Sequence, residues 1–158
     1  MTTWGELTEQ EPALADDGRA LLYQVGVGLA FLGTVRIDGG PRVHPMCPLL
    51  SPDGLHAFIV PGPKQQDLRR DGRFSLHSFP TPDDEDAFYA TGRAVEVHDE
   101  GVRARLSEQF VAERAQFSVP APEDDHALFE LRLDRVMVTR TGGHGDGAPT
   151  HTVWHAPA

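Results

Sequence analysis

The chain has 158 residues, a single cysteine and a formal net charge of −10, from 24 acidic against 14 basic side chains. That length suits one domain over 1–158, and the lone Cys47 excludes both an intramolecular disulfide and a single-chain thiolate cluster. The acidic balance repels nucleic acid and anionic lipid at long range, so any bound anion needs a local exception.

The N-terminus, Met1–Asp17, is acidic and lacks a basic-then-apolar leader. No run approaches the roughly 18 apolar residues of a membrane span. A soluble, cytoplasmic protein with no nucleic-acid or membrane partner is the expectation. From Glu11 to Val25, Leu14, Leu21, Leu22 and Val25 recur at roughly helical spacing and predict a helix. Residues Leu29–Ile37 then alternate with period two, with Phe31, Gly33, Val35 and Ile37 on one face. Asp38–Pro41 (DGGP) supplies a hairpin turn, and Arg42–Leu50 returns as the partner strand. Ser51–Gly54 (SPDG) is a second turn, and Leu55–Val60 a third strand. The prolines of Pro61-Gly62-Pro63 cannot continue it, for want of N–H groups.

Lys64–Asp71 reads as a short helix and Phe74–Phe79 as a fourth strand. Pro80–Asp86 is an acidic loop. Phe88–Val97 is a fifth strand, in which Gly92 predicts a bulge or a close backbone approach. Val102, Leu106, Phe110 and Phe117 mark a helix over about Asp99–Ala115. Ala127–Arg140 is a long last strand, Gly142–Pro149 a mobile loop, and His151–Pro157 a short closing strand. The fold class expected is mainly β with flanking helices, a mostly antiparallel barrel whose closure removes sticky edges. Its core spans about 28–140, and 141–158 is a loop and tail.

Two stretches stand out chemically. In Lys64–Arg73 four basic residues (Lys64, Arg69, Arg70, Arg73) face only two acidic ones (Asp67, Asp71). A phosphate suits such a place, because an ammonium neutralises it and helix-start N–H groups point at it. The plain alternative is a solvated helix with pairs such as Asp67–Arg70. In Arg42-Val43-His44-Pro45-Met46, Pro45 and the nearby Pro48 remove two ladder donors, so regular pairing on both sides is not expected. Backbone groups on such an edge can bond a flat polar ligand, with Met46 and Ile59 bracketing its ring. The alternative is an edge strand with exposed Arg42 and His44.

Other chemistries find no support. The eight histidines show no HExxH pattern, so no native metal site is expected. There is no GxSxG serine, no Walker motif and no GxGxxG after a strand. No catalytic acid or base is identified, although His44 is the candidate by character.

Taken in order, "AFLGTVRIDGGPRVHPMCPLL", "LHAFIVPGPKQQDLRRDGRFSLHSF" and "FYATGRAVEV" resemble the pyridoxamine 5′-phosphate oxidase-like superfamily of flavin-binding split barrels. The likeness runs from about Ala30 to Val97, with a compatible helix and strand to about Arg140. It implies a homodimer of split β-barrels with FMN sites at the subunit interface. The flavin ring would lie along Arg42, Val43, His44, Pro45 and Met46, beside Ile59 and Val60. Lys64, with Gln65, would hold the phosphate. Some relatives carry Arg where this chain has Pro63, which gives Arg42 more weight. True pyridoxamine-phosphate oxidases carry a C-terminal Arg-x-His-Asp-Arg element. Here Arg132-Leu133-Asp134-Arg135 lacks the His and sits mid-strand, so the resemblance does not extend to vitamin B6 oxidation. It implies an FMN-dependent oxidoreductase moving hydride to or from a small molecule. The alternatives are a reductase using the deazaflavin F420, whose acidic tail Arg69, Arg70 and Arg73 would track, or a non-catalytic flavin- or heme-binding protein.

Overall fold

The computed structural model describes residues 1–52 and 54–157. The N-terminal helical region is two helices, not one. Thr3 caps α1 (Trp4–Gln10) by accepting from the Glu6 N–H while the Glu6 carboxylate accepts from the Thr3 N–H at 2.7 Å. Glu11 ends α1, and Pro12 opens α2 (Pro12–Leu22) at the one helical position that needs no N–H. Together they bury Trp4, Leu7, Leu14, Ala15, Leu21 and Leu22. Val25, expected on that stripe, lies beyond the helix and is 58% exposed.

The strands follow as β1 (Ala30–Val35), β2 (Pro41–Met46), β3 (Leu49–Ser51) and β4 (Gly54–Ile59). Then come α3 (Pro63–Arg70), β5 (Arg73–Ser78), β6 (Ala87–Glu96), α4 (Glu100–Glu113), β7 (Ala127–Arg140) and β8 (Thr150–His155). All strand pairings are antiparallel, in the order β2-β1-β5-β6-β7-β4-β3. The first part of β7 pairs with β4 and its last six residues with β8. The hairpin after β1 closes with Gly39 at φ 80° and with Asp38 accepting from the Gly40 N–H. The expected second turn includes Asp53, which lies outside the described residues.

One expected strand, Arg42–Leu50, is corrected. Cys47-Pro48 breaks it, and β3 departs to pair with β4 at the opposite end of the strand order. Met46 and Leu49 are three residues apart, so their Cα atoms lie within about 11 Å. The two end strands are therefore forced close together without hydrogen-bonding each other, and the sheet is a barrel left open along one seam. Its interior holds Leu32, Leu76, Phe88, Leu131, Leu133 and Val136, with α1 and α2 supplying Trp4, Leu7 and Leu22. Gly92 sits where the β6–β7 register shifts. A Cβ there would fall 1.8 Å from the Arg132 carbonyl oxygen, so both expectations for this glycine hold. Among the described residues no helix is long and apolar enough to cross a membrane.

Candidate functional site

The site is built where β2 meets the start of α3. Hydrogen-bonded pairs alternate along an antiparallel ladder. Because the Arg36 N–H donates to the Gly40 carbonyl at 2.8 Å, Arg42, His44 and Met46 turn their backbone groups to β1. Pro41, Val43 and Pro45 turn theirs to the open seam. The ladder of six β1–β2 pairs is regular, and β2 has no partner on its other side, as expected of a strand that is not paired on both. The prolines fall where a strand edge faces no partner. That edge offers carbonyls and a single N–H, from Val43, so a flat ligand meets one backbone donor within β2 rather than several.

Side chains alternate the other way. Arg42, His44 and Met46 face inward, opposite Thr34, Leu32 and Ala30. The Arg42 Nε donates to the Asp67 carboxylate at 2.8 Å. Asp67 is 4% exposed and also accepts from the Thr34 hydroxyl (3.0 Å) and the Arg70 guanidinium (3.1 Å). Burial pushes its pKa up, but the bonds from Arg42, Thr34 and Arg70 outweigh that and hold the carboxyl below its ordinary value. One carboxylate therefore fastens α3 to β1 and β2 and occupies Arg42, which the sequence reading gave to a phosphate.

The other arginines of the basic stretch are also taken. Arg69 forms two bonds to Glu96 (2.8 and 2.6 Å), Arg73 chelates Asp71 (2.6 and 2.8 Å), and Arg70 also donates to the Val35 carbonyl. Of the alternative reading, the Asp67–Arg70 pair is present, though its carboxylate is buried, whereas Arg69 pairs across the fold with Glu96 and Arg73 lies in β5. Lys64 differs. It is half-buried and has no hydrogen-bond or ion-pair partner among the described residues. Burial lowers its pKa, opposed by the nearby Cys47. It lies at the start of α3, where Gly62 takes a φ of 144° that only glycine adopts readily and no side chain caps the helix.

His44 is the second unfilled group. Its Nε2 is buried and has no partner. Burial first, then the charges of Lys64 and Arg42, push its pKa down, with Asp67 opposing. Asp67, one helical turn after Lys64 on α3, is bonded to Arg42, which shares the inward side of β2 with His44, so the three side chains lie at one junction of α3 and β2.

The remaining sequence candidates divide. Val43 and Val60 are exposed (65% and 50%), and Pro45 is exposed beside Val43. Met46 and Ile59 belong to the core at 7% and 1% exposure, so their side chains do not bracket a ring as expected. Gln65 is buried with its amide committed: it donates to the Ile59 and Asp125 carbonyls and accepts from Arg69 at 2.7 Å. A cleft of about 480 Å³ opens on that side, between α3, the start of α4 and Asp124–His126. Its two lining arginines are spent, Arg69 on Glu96 and Arg103 on the His126 and Glu123 carbonyls, so among the described residues of its lining neither guanidinium is left for an anion. Sequence reasoning named the Asp67–Arg70 pair but missed Thr34, and missed that Asp67 is buried and also binds Arg42. The available signal was an aspartate three residues after Lys64 and three before Arg70, on one helical face.

No family model matches the chain, and no curated protein matches it in sequence. Solved structures do. A protein from Clostridium acetobutylicum related to general stress protein 26 of B. subtilis, of the pyridoxinephosphate oxidase family, has 13% identity and a TM-score of 0.63 over 92% of this chain and 95% of that one. A heme binding protein from Mycobacterium smegmatis has 19% identity and a TM-score of 0.64 over 90% of this chain and 58% of that one. The heme storage protein HutZ from Vibrio cholerae has 15% identity and a TM-score of 0.55 over 78% and 89%. The chain thus has the split-barrel fold shared by pyridoxamine 5′-phosphate oxidase-like and heme-binding proteins, in agreement with the likeness read from its sequence.

Proposed function

We propose that the chain is an FMN-binding oxidoreductase that works as a homodimer in the cytoplasm and passes hydride to or from a small molecule. One observation carries the reading: a half-buried Lys64 ammonium, without a partner among the described residues, at an uncapped helix start that Asp67–Arg42 ties to the strand whose His44 has a buried and unpartnered Nε2. An anion with hydrogen-bond acceptors fits both groups. Val43 offers an N–H and a C=O side by side on the open seam, the donor–acceptor pair that the imide edge of an isoalloxazine takes. Bound FMN would supply the hydride chemistry, while these residues bind and orient it. The pairing of Arg69, Arg70 and Arg73 favours FMN over F420, because no free basic track remains for an acidic tail.

The outer face of the sheet supports self-association. Odd-numbered residues of β2, β1, β5, β6, β7 and β8 point away from the core there, and through positions 41–45, 31–35, 73–77, 87–91, 135–139 and 151–155 none is Asp or Glu. One row crosses the sheet as Pro45, Phe31, His77, Tyr89, Met137 and Val153. Two copies of a molecule carrying −10 repel elsewhere but can approach on this face. Five strand spacings make it about 24 Å wide, a size compatible with the roughly 800 Å² per partner of a stable interface.

Spectra of the purified protein test the reading. Flavin absorbance, and retention of FMN over riboflavin, are expected. Lys64→Ala should weaken FMN by about 1.5–3 kcal/mol, the scale of a charged hydrogen bond. Full retention by that variant would remove the phosphate assignment. A Soret band instead of a flavin spectrum would favour the second reading, a heme-binding protein without turnover. Two structural relatives named for heme, and a buried imidazole nitrogen free for a ligand, favour that reading. Bleaching by a nicotinamide reductant followed by reoxidation separates an enzyme from a carrier.

A further inference from the structure

We infer that His44 is the second anchor of the anion held at Lys64, and that it makes this contact as a proton donor, so that binding a phosphate monoester takes up a proton at this site. The inference rests on the anion-site reading above. It adds how that site is regulated: affinity is tied to proton concentration through one imidazole.

The argument starts from what faces His44. On its own strand Arg42 is charged, but its Nε is spent on Asp67. From α3 come Lys64, without a partner, and Asp67, saturated by Thr34, Arg42 and Arg70. Across β1 the opposite residue is Leu32, fully buried. No carboxylate is left to accept from Nε2, and the atom has no partner. With an apolar neighbour and the charges of Lys64 and Arg42 on the same side, the surroundings favour the neutral imidazole, in line with its lowered pKa. An anion arriving at Lys64 reverses the sign of the local field. It supplies the missing acceptor and stabilises imidazolium.

The proton balance is simple. A dianionic phosphate monoester binds, one proton leaves the buffer, and the neutral imidazole becomes imidazolium, with one N–H on Nδ1 and the Nε2–H donating to a phosphate oxygen. Phosphate monoesters themselves protonate near pH 6, so uptake alone does not say where the proton sits; a variant does. The sign follows from linkage. A group whose pKa rises on binding makes binding tighter as pH falls, up to about tenfold per pH unit between its bound and free values.

The experiment is calorimetric titration of the full-length protein with FMN, in buffers of different ionisation enthalpy, from about pH 6 to about pH 8. Proton uptake of a large fraction of one per site is expected near neutrality, with Kd rising several-fold per pH unit above it. His44→Gln should abolish the uptake and flatten the profile. A parallel arm follows the His44 imidazole by NMR with inorganic phosphate as probe, and an upward move of its titration midpoint is expected. Should His44→Gln not fold, Lys64→Met serves: His44 should then titrate nearer the ordinary histidine range, and phosphate should no longer move it. FMN binding with an unmoved His44 midpoint, or uptake that survives in His44→Gln, overturns the inference and leaves the flavin reading standing. A phosphate-induced shift without FMN binding does the reverse. Failure of both probes overturns both.

Discussion

Asp67 shows how one side chain arranges the site. Its sequence context, among four basic residues, marks it only as a counter-charge. The fold makes it the buried post to which Thr34, Arg42 and Arg70 are tied. Asp67→Asn keeps the shape but leaves both guanidinium groups short of a charge. A loss of about 2 kcal/mol in denaturant unfolding is expected, less than for a fully buried pair because both arginines reach solvent. Because its folded pKa is depressed, Asp67 contributes this stability fully above the ordinary aspartate range near pH 3.9, and the contribution fades as pH falls below it. The acid limb of the stability curve should therefore flatten in Asp67→Asn; an unchanged limb would deny Asp67 that role. Lys64 was legible from its charge in an acidic chain. That Lys64 alone of the four basic residues in Lys64–Arg73 has no partner among the described residues was not, because Arg69 finds Glu96 across 27 residues of chain.

At the scale of elements, short-range chemistry was readable and its exceptions were specific. Alternation located β1, and the Gly-Pro punctuation located the ends of most strands. Gly92 declared itself because no other residue fits against the Arg132 carbonyl. Gly92→Ala should lower stability by more than about 2 kcal/mol, as a forced backbone shift in the longest strand pair. Wild-type thermal stability in that variant would mean the bulge relaxes freely. The N-terminal helix was missed although Thr3 and Glu6 spell a capping box. The β2–β3 break was missed for a different reason. Pro48 signals an interruption, but which neighbour β3 then joins depends on β4 and β7, more distant in sequence.

For the molecule as a whole, charge and sheet geometry act together. Under the homodimer proposed above, the carboxylate-free positions of the outer face are where a second copy of a strongly acidic protein would approach. Val153→Asp, an exposed position at the end of the apolar row, should leave the fold intact and dissociate the pair by sedimentation equilibrium. Added salt should strengthen wild-type pairing by screening the net charge. A variant that pairs as well as wild type would move the interface off this face.

By itself the sequence determined what depends on neighbours within a turn or a strand: a β-rich fold, the bulge at Gly92, an isolated positive stretch, and the β2 strand with its prolines. Only the tertiary structure decided which charges cancel. Ion pairing is settled by distance in space: Arg73–Asp71 and Arg70–Asp67 are local, but Glu96 reaches Arg69 across 27 residues and Asp67 reaches Arg42 across 25 only once the strands have paired. That assembly leaves Lys64 and His44 as the unfilled pair.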